Sequence, residues 1–428
     1  MNIGTRVSFL AAAGSALDGY DIIIMAAAVG LIANTLHVTS ASEKAFLVSI
    51  AFLFSFIGAI AFGVIVDKFG RRIIFLSDLI LFIGGALITG LAFNVPELLI
   101  GRAMIGLAIG ADIASGWTMV NEFAKKEVRG SLVAMQAAIW TIAAGVGYFI
   151  LYAFLPYGSS LVWRIAFLLG IILAVPVIII RRSLPESPRW LYTKGKITKD
   201  EFLGRLKQIN DGKEVDPSVL NEVRPKSSVL FSKKYIRRTI GASGSQFIYA
   251  LVGTPVYLFT TEILLHAGYS NKFGSLLLGG GYIYVLLTLY IVFAMWLMNK
   301  IPRRTEAIIA SLGITASLFI LWIHPFSGAA FFVEWAVFGF FLNMLVPVLW
   351  AWGSELFPTS IRGLSQGATM SANRLASFFG ASISGVLILT GGEILVFQVY
   401  SILAVLLVLL VGILINVEPF SKELELVG

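Results

Sequence analysis

The chain has 428 residues, of which 58% are hydrophobic and only 13% are charged. Soluble domains carry about 25% charged residues, so this chain has too little polar surface to cover a water-soluble globule, and most of it is expected to face lipid. There are no cysteines, which excludes disulfides, a thiol nucleophile and cysteine metal sites. The few histidines lie far apart in the sequence, so neither a metal nor a cofactor is predicted.

Both halves of the chain contain hydrophobic windows long enough to cross a bilayer, which takes roughly 20 residues. The windows fall at about 7–36, 45–66, 73–93, 97–121, 131–154, 162–180, 239–266, 273–298, 306–323, 329–353, 364–389 and 394–416. A polar segment, Arg181–Arg238, separates the two sets, and its run Lys199–Ile209 has the spacing of a short surface helix. The pattern predicts an all-α membrane protein with twelve transmembrane helices.

Lysine and arginine residues concentrate in the loops on one side of the predicted membrane. With both termini on that side, its loops hold Lys68, Arg71, Arg72, Lys125, Lys126, Arg129, Lys300, Arg303, Arg304, Arg362 and the central polar segment. Because cytoplasmic loops are enriched in Lys and Arg, we expect a multi-pass protein of the cell membrane with both termini in the cytoplasm. Contacts with anionic headgroups then account for the net charge of +8, and no nucleic-acid partner is predicted.

Two sequence patterns occur once in each half at nearly the same offset. Asp67–Arg72 recurs as Asn299–Arg304, 232 residues later, and Glu122–Arg129 recurs as Glu355–Arg362, 233 residues later. This duplication predicts an N-terminal six-helix bundle at 1–181, a cytoplasmic linker with short surface helices at 182–238, and a C-terminal six-helix bundle at 239–428. In transporters built from such repeats, the substrate site lies between the repeats near the bilayer midplane.

Two aspartates interrupt the first hydrophobic window. Asp18 and Asp21 are three positions apart and therefore share one face of a helix. A carboxylate at mid-membrane costs on the order of 3 kcal/mol, which favours a proton or ion relay beside a water-filled cavity. The alternatives are buried acids satisfied by their neighbours, or a segment that does not span. Arg102, inside the fourth window, is the expected partner of these acids.

Three motifs resemble those of a known family. They are Gly63–Arg72 (Gly-Val-Ile-Val-Asp-Lys-Phe-Gly-Arg-Arg), Pro185–Trp190 (Pro-Glu-Ser-Pro-Arg-Trp), and Glu355–Thr359 (Glu-Leu-Phe-Pro-Thr) followed by Arg362-Gly363. Over essentially its whole length the chain resembles a major facilitator superfamily transporter, close to the sugar porters and the metabolite:proton symporters. The resemblance implies the major facilitator fold, two six-helix pseudo-repeats and transport by alternating access.

The resemblance also implies roles for the charged residues of the spans. In sugar porters, the aspartate of a first-helix Gly-Tyr-Asp couples to protons with a fourth-helix arginine, which corresponds to Asp21 and Arg102. Asp18 and Asp112 lie outside that pattern. They are similar to the Asp-Gly-Tyr-Asp of aromatic-acid symporters and to the fourth-helix aspartate of phosphate symporters. All four residues form the predicted proton-coupling set.

Charged residues at the cytoplasmic helix ends form latches in this family and hold the outward-facing state. The matching residues are Asp67, Arg71, Arg72, Glu122, Arg129, Glu355 and Arg362. Any one of them could be an ordinary loop charge, but their repetition in both halves favours latches. In the second half Asn299 and Pro302 replace the acid and the glycine, so that latch is expected to be weaker.

Trp350 is the first candidate for the substrate site. Together with Pro347 it resembles the tenth-helix Gly-Pro-x-Pro-Trp of sugar porters, whose tryptophan stacks on the substrate. Further candidates are Gln136, Trp140, Gln246, Tyr249, Asn373 and Arg374. Each of them could instead be a packing or interhelix hydrogen-bond residue. The family's paired glutamine on the seventh helix is missing, which argues against hexose recognition. The planar fork of Arg374 would suit a carboxylate.

The sequence predicts a secondary transporter and not an enzyme. Gly363–Gly367 matches a nucleophile-elbow string, but no strand precedes it, and there is no Walker loop to bind ATP. We expect proton-coupled symport of a small polar organic solute, sugar-like or an organic carboxylate, by a protein that functions as a monomer. A proton-independent sugar uniporter and a transporter-like membrane sensor are the alternatives.

Overall fold

The computed structural model describes residues 3–123, 129–209, 227–298, 300–323, 329–357, 361–390 and 392–415. The side chains at 121, 129–134, 227, 329, 354, 362 and 393 also lie outside the described part. The described residues form these α-helices: α1 (Ile3–Ala27), α2 (Val29–Leu36), α3 (Ala41–Phe69), α4 (Arg71–Leu91), α5 (Val95–Phe123), α6 (Arg129–Phe154), α7 (Ser159–Arg181), α8 (Pro188–Thr193), α9 (Lys199–Ile209), α10 (Ile236–Leu258), α11 (Thr260–His266), α12 (Phe273–Leu297), α13 (Arg303–Ile323), α14 (Ala329–Glu355), α15 (Arg362–Phe379), α16 (Gly385–Leu389) and α17 (Glu393–Leu409).

Eleven helical segments in the described ranges are long and apolar enough to cross a membrane by themselves. Helices α10 and α11 form one further apolar segment, which is bent by 67°. The bend follows Pro255, which lies inside α10. Helix α10 ends at Leu258 and α11 begins at Thr260, so the bend lies at Phe259, four residues after the proline. With this broken helix counted as one span, the predicted twelve-span all-α fold is confirmed.

Two predicted spans are less regular than the sequence suggests. The first window divides into α1 and α2. After α2 ends at Leu36, His37 has a left-handed φ of 59° that turns the chain, and its N–H donates to the Ala33 carbonyl. The eleventh span continues from α15 through a π-helical turn, Gly380–Ser384, into α16. π-Helical turns within α-helices are frequent at functional sites, and this one lies at the end of the span that carries Asn373 and Arg374.

The helices pack within each half and along two seams between the halves. In the first half α5 packs against α3 and α4, α1 against α6, and α4 against α7; in the second half α10 packs against α15, and α13 against α14 and α17. The seams join α6 to α12 and α3 to α15. Close approach of α5 to α3 needs small residues, because a Cβ on Gly110 would lie 2.5 Å from the Ser55 carbonyl oxygen.

The segment between the halves carries α8 and α9. Helix α9 spans Lys199–Ile209, as its spacing predicts. The rings of Tyr192 and Phe202 stack with centroids 4.7 Å apart, which joins the end of α8 to α9. The division of the chain into two bundles and a linker at 181/182 and 238/239 stays a prediction.

Candidate functional site

A cavity lies between the two halves of the protein. It contains about 690 Å³ of empty space, including the part that opens to solvent. Helices α1, α3 and α6 contribute to its wall from the first half, and α10, α12, α14 and α15 from the second. The lining residues are Ile22, Phe52, Ala137, Trp140, Thr141, Tyr249, Ala250, Thr254, Tyr257, Leu258, Ile291, Val346, Trp350, Met370, Asn373, Arg374 and Ser377.

Most of the predicted substrate residues line this cavity, namely Trp140, Tyr249, Trp350, Asn373 and Arg374. Gln136 and Gln246 do not belong to the lining. Gln246 is fully buried, and its Oε1 accepts a hydrogen bond of 3.0 Å from Asn373 Nδ2. Gln136 accepts one of 3.2 Å from the hydroxyl of Ser15 on α1. These two glutamines therefore position neighbours of the cavity rather than face it.

Five of the described residues that line the cavity are aromatic. The ring of Trp350 lies 4.9 Å from that of Trp117 on α5, and the ring of Trp140 lies 6.0 Å from that of Tyr257. The Tyr257 hydroxyl donates to Asn343 Oδ1 at 2.9 Å and lies 3.1 Å from the Tyr249 hydroxyl. Such a wall offers stacking faces together with fixed polar groups.

Sequence reasoning missed Thr254 and Tyr257, both of which line the cavity. Thr254 directly precedes Pro255, and Tyr257 lies two residues after it. The available signal was this proline inside an apolar span, because transporter sites are typically formed by discontinuous helices.

Arg374 is the only cation among the described residues that line the cavity. No hydrogen bond or ion pair joins it to another side chain in the described part of the chain, and its buried Nε has no partner. Asp18 and Asp112 of the first half interact with it electrostatically. Arg374 therefore presents a donor fork to the cavity while it is attracted by acids across the interface.

The predicted pair Asp21 and Arg102 is in contact. Arg102 Nη1 lies 2.5 Å from Asp21 Oδ2, and the two side chains are 0% and 2% exposed. The guanidinium also lies 5.7 Å from the ring of Phe167 on α7. Ile22, the residue after Asp21, lines the cavity. A fully desolvated ion pair thus lies beside the cavity wall, where removal of either charge would leave the other uncompensated.

Asp112 belongs to a second buried charge cluster. Arg181 Nη2 lies 2.8 Å from Asp112 Oδ1, and Arg181 Nη1 lies 3.0 Å from Asp78 Oδ2. The carbonyl oxygens of Phe75 and Leu10 accept further hydrogen bonds of 2.9 and 3.1 Å from this guanidinium. We call Asp18, Asp78, Asp112 and Arg181 the acidic cluster.

The placement of Arg181 in the polar segment was wrong, because it is the last residue of α7 and fully buried. Asp78 was not recognised either, although an acid inside an apolar window was the available signal.

The predicted latch residues form equivalent contacts in both halves. Arg71 lies 3.1 Å from Asp67 and 3.5 Å from Glu122, and Arg303 lies 3.4 Å from Glu355. Arg72 Nη2 donates a hydrogen bond of 2.6 Å to the carbonyl of Arg182. The side chains of Arg129 and Arg362 lie outside the described residues, so their predicted roles are not addressed by these contacts.

The motif Pro185–Trp190 packs against the latch of the first half. Glu186 accepts hydrogen bonds from the backbone N–H groups of Arg71 at 3.0 Å and Arg72 at 3.2 Å, and so caps the start of α4. Gly70 has a φ of 111°, and a Cβ there would clash with the Glu186 carboxylate. Burial raises the pKa of Glu186, although its N–H donors lower it in part.

The amino-acid sequence matches the family model described as "Sugar (and other) transporter" over residues 7–426. A probable polyol transporter 4 of Arabidopsis thaliana is 28% identical, with 98% of this chain and 83% of the relative covered. The galactose-proton symporter of Escherichia coli is 27% identical over 98% of this chain and 92% of the relative.

Among solved structures, the proton:xylose symporter XylE is similar with a TM-score of 0.82. It shares 21% identity, and 99% of this chain and 98% of XylE are covered. These proteins are membrane transporters of the major facilitator superfamily and not enzymes. The present chain belongs to the sugar (and other) transporter family.

Proposed function

We propose that this transporter moves a small polar organic solute together with protons, by alternating access of the central cavity to the two sides of the membrane. Its membership of the sugar transporter family supports transport. The names of two similar proteins, a galactose-proton symporter and a proton:xylose symporter, support coupling to protons. We further propose that the protein works as a monomer in the cell membrane with both termini in the cytoplasm.

The ion pair between Asp21 and Arg102 is the observation that carries this proposal. A purely structural span has no need of two buried charges, and intramembrane ionisable groups mark proton pathways. A proton on Asp21 removes the charge that compensates Arg102, so the guanidinium must find other acceptors. Protonation of Asp21 therefore favours conformations in which Arg102 has other acceptors over the conformation in which it pairs with Asp21. Such a shift between conformations is what proton coupling requires.

The contacts between the halves fit a molecule that opens on alternate sides. Toward one end of the spans, Ser382 in the π-helical turn after α15 donates a hydrogen bond of 2.8 Å to Ser49 on α3. Toward the end that carries the latches, Trp117 and Trp350 meet below the cavity. Separating one contact while keeping the other would open the cavity to one side at a time.

The test compares Asp21→Asn with the wild-type protein in proteoliposomes. The solute is the member of a panel of D-galactose, D-xylose, sorbitol and benzoate that most raises the melting temperature of the purified protein. We expect the wild type to accumulate this solute when a pH gradient is imposed. The variant should exchange labelled for unlabelled solute but lose accumulation. Asp200→Asn, at an exposed position of α9, is the matched control. Full accumulation by Asp21→Asn, or wild-type transport that ignores the gradient, would refute the proposal.

A further inference from the structure

One face of α1 connects the acidic cluster to the cavity. Gly14, Asp18 and Ile22 are spaced by four residues and share this face. A Cβ on Gly14 would clash with the guanidinium of Arg181 and lie 2.7 Å from Asp112 Oδ2, whereas Ile22 lines the cavity. Asp18 therefore lies between the Asp112–Arg181 ion pair and the solute space.

The charges around Asp18 do not balance within the first half. Asp78 and Asp112 share Arg181, which leaves the acidic cluster with three carboxylates for one guanidinium. Asp18 has no hydrogen bond or ion pair to another described residue, although its side chain is only 6% exposed. The charged groups that act on Asp18 are Asp112, Arg374, Asp21 and Arg181. Of these, Arg374 belongs to the second half and Asp21 is paired with Arg102.

Arg374 is thus the cation that offsets the excess charge on Asp18, and it is also the cation of the cavity wall. Its guanidinium donates no hydrogen bond to any described residue, and its buried Nε is without a partner. None of the described residues that line the cavity is acidic, while Asn373, Thr254, Ser377 and Thr141 supply neutral polar groups beside the aromatic rings. Such a lining favours an anion whose remaining part is flat or hydroxylated, because a guanidinium binds a carboxylate through two parallel hydrogen bonds.

We propose that the solute carries one carboxylate group that binds Arg374, and that Asp18 accepts the co-transported proton when the solute engages Arg374. This inference rests on the proposed symport and names its substrate class and a second proton site. The only covalent change is one O–H bond, which forms when the carboxylate takes up the proton and breaks when the proton is released. A proton from water binds an oxygen of the Asp18 carboxylate and leaves again on the other side of the membrane.

The physical basis is competition for a single guanidinium. In the empty protein Arg374 offsets the charge of Asp18 and Asp112. A solute carboxylate on Arg374 withdraws this compensation, so the excess negative charge of the acidic cluster favours a proton. Solute and proton consequently raise each other's affinity, because coupling between two binding events is reciprocal.

The first experiment measures binding of two matched pairs of probes to the purified full chain, benzoate against benzamide and gluconate against sorbitol. We expect at least one carboxylate to raise the melting temperature and its neutral partner to have no effect. Carboxylate binding should be accompanied by equimolar proton uptake, seen with an indicator dye in weakly buffered detergent solution. If only neutral probes bind, or if neither carboxylate binds, the inference is overturned.

Variants then separate the two roles. Arg374→Gln should weaken carboxylate binding at least about tenfold, and Arg374→Lys should restore part of it, because it keeps the charge without the fork. Asp18→Asn should bind the carboxylate with an affinity that no longer varies with pH and without proton uptake. Proton uptake retained by Asp18→Asn would overturn the inference.

The proposed function and this inference fail in different ways. D-Galactose accumulation driven by a pH gradient in Arg374→Gln would overturn the inference and leave symport standing. Carboxylate binding with proton uptake, but without any gradient-driven accumulation, would refute symport and leave the carboxylate site standing.

Discussion

Trp117 and Trp350 are equivalent residues of the two repeats and contact each other. They lie 233 residues apart, the offset that relates Glu122 to Glu355, and their ring centroids are 4.9 Å apart. Equivalent residues that touch must lie close to the axis relating the two halves. Each tryptophan also precedes its latch glutamate by five residues, or about 7.5 Å of helix. The pair therefore separates the cavity from the latches.

Removing one member of this pair should open the latch side of the cavity. We expect Trp117→Ala to speed modification of a cavity thiol severalfold, because an aromatic pair contributes about 0.5–1.5 kcal/mol. The chain has no cysteine, so Ala137→Cys supplies a single thiol in the cavity wall. A membrane-impermeant maleimide, applied to inside-out and right-side-out vesicles, measures the rate from each side. Trp296→Ala, at an exposed position of α12, is the control, and an unchanged rate from both sides would contradict the expectation.

The two latches should differ in strength although their contacts are equivalent. Arg71 is 2% exposed and contacts both Asp67 and Glu122, whereas Arg303 is 12% exposed and pairs with Glu355. Loss of a buried partner costs about 3–5 kcal/mol, and the cost falls as the ion pair gains access to solvent. We therefore expect Arg71→Gln to lower the melting temperature more than Arg303→Gln does, as measured in detergent. Equal decreases in melting temperature for the two variants would show that the second predicted latch is as strong as the first.

The sequence was sufficient for the fold and for several cavity residues because both depend on local patterns. Apolar windows of bilayer length predict spans, and the resemblance of the tenth-helix segment to a sugar-porter motif pointed to Trp350. The orientation of a residue around its helix is less predictable, since one position rotates a side chain by about 100°. Ala137 lines the cavity while Gln136 contacts Ser15 on α1, and no local pattern distinguishes these two positions.

The acidic cluster shows a different limit of sequence reasoning. Asp78, Asp112 and Arg181 come from α4, α5 and α7, and only the packing of these three helices brings them together. Asp78 interrupts an apolar window and could have been noticed. Arg181 stands at the boundary of a window beside further basic residues, so nothing in the sequence distinguished a buried arginine from a membrane-surface anchor.

Glu186 should make the stability of the latch depend on pH. Burial raises the pKa of Glu186 above its usual value of 4.5, so the folded state binds this proton more tightly than the unfolded state does. The resulting stabilisation is complete below pH 4.5 and is lost as pH rises through the raised pKa. We expect the melting temperature of the wild type minus that of Glu186→Gln to fall as pH rises over that range.

Other groups titrate over the same range, so the comparison with Asp200→Asn, at an exposed position of α9, isolates the contribution of Glu186. A difference that grows with pH would mean that the N–H groups of Arg71 and Arg72 stabilise the Glu186 carboxylate more than burial penalises it.

Gly14 should be intolerant of any side chain because of the acidic cluster. An alanine Cβ would clash with Nη2 of Arg181 and lie 2.7 Å from Asp112 Oδ2. Arg181 cannot withdraw freely, since Asp78 and the carbonyls of Phe75 and Leu10 hold its guanidinium. We expect Gly14→Ala to lower the free energy of unfolding by about 1–3 kcal/mol, the cost of leaving a buried polar group unsatisfied, as measured by the melting temperature in detergent.

Gly30 provides the matched control, because it lies in α2 with no atom within 4 Å of a Cβ placed there. Replacing a helical glycine by alanine adds about 1 kcal/mol of helix propensity, so Gly30→Ala should be neutral or stabilising. The same propensity gain applies to Gly14→Ala and must be outweighed by the disturbed ion pairs. If both alanine variants are equally stable, the guanidinium of Arg181 has room to move and the acidic cluster is looser than its contacts indicate.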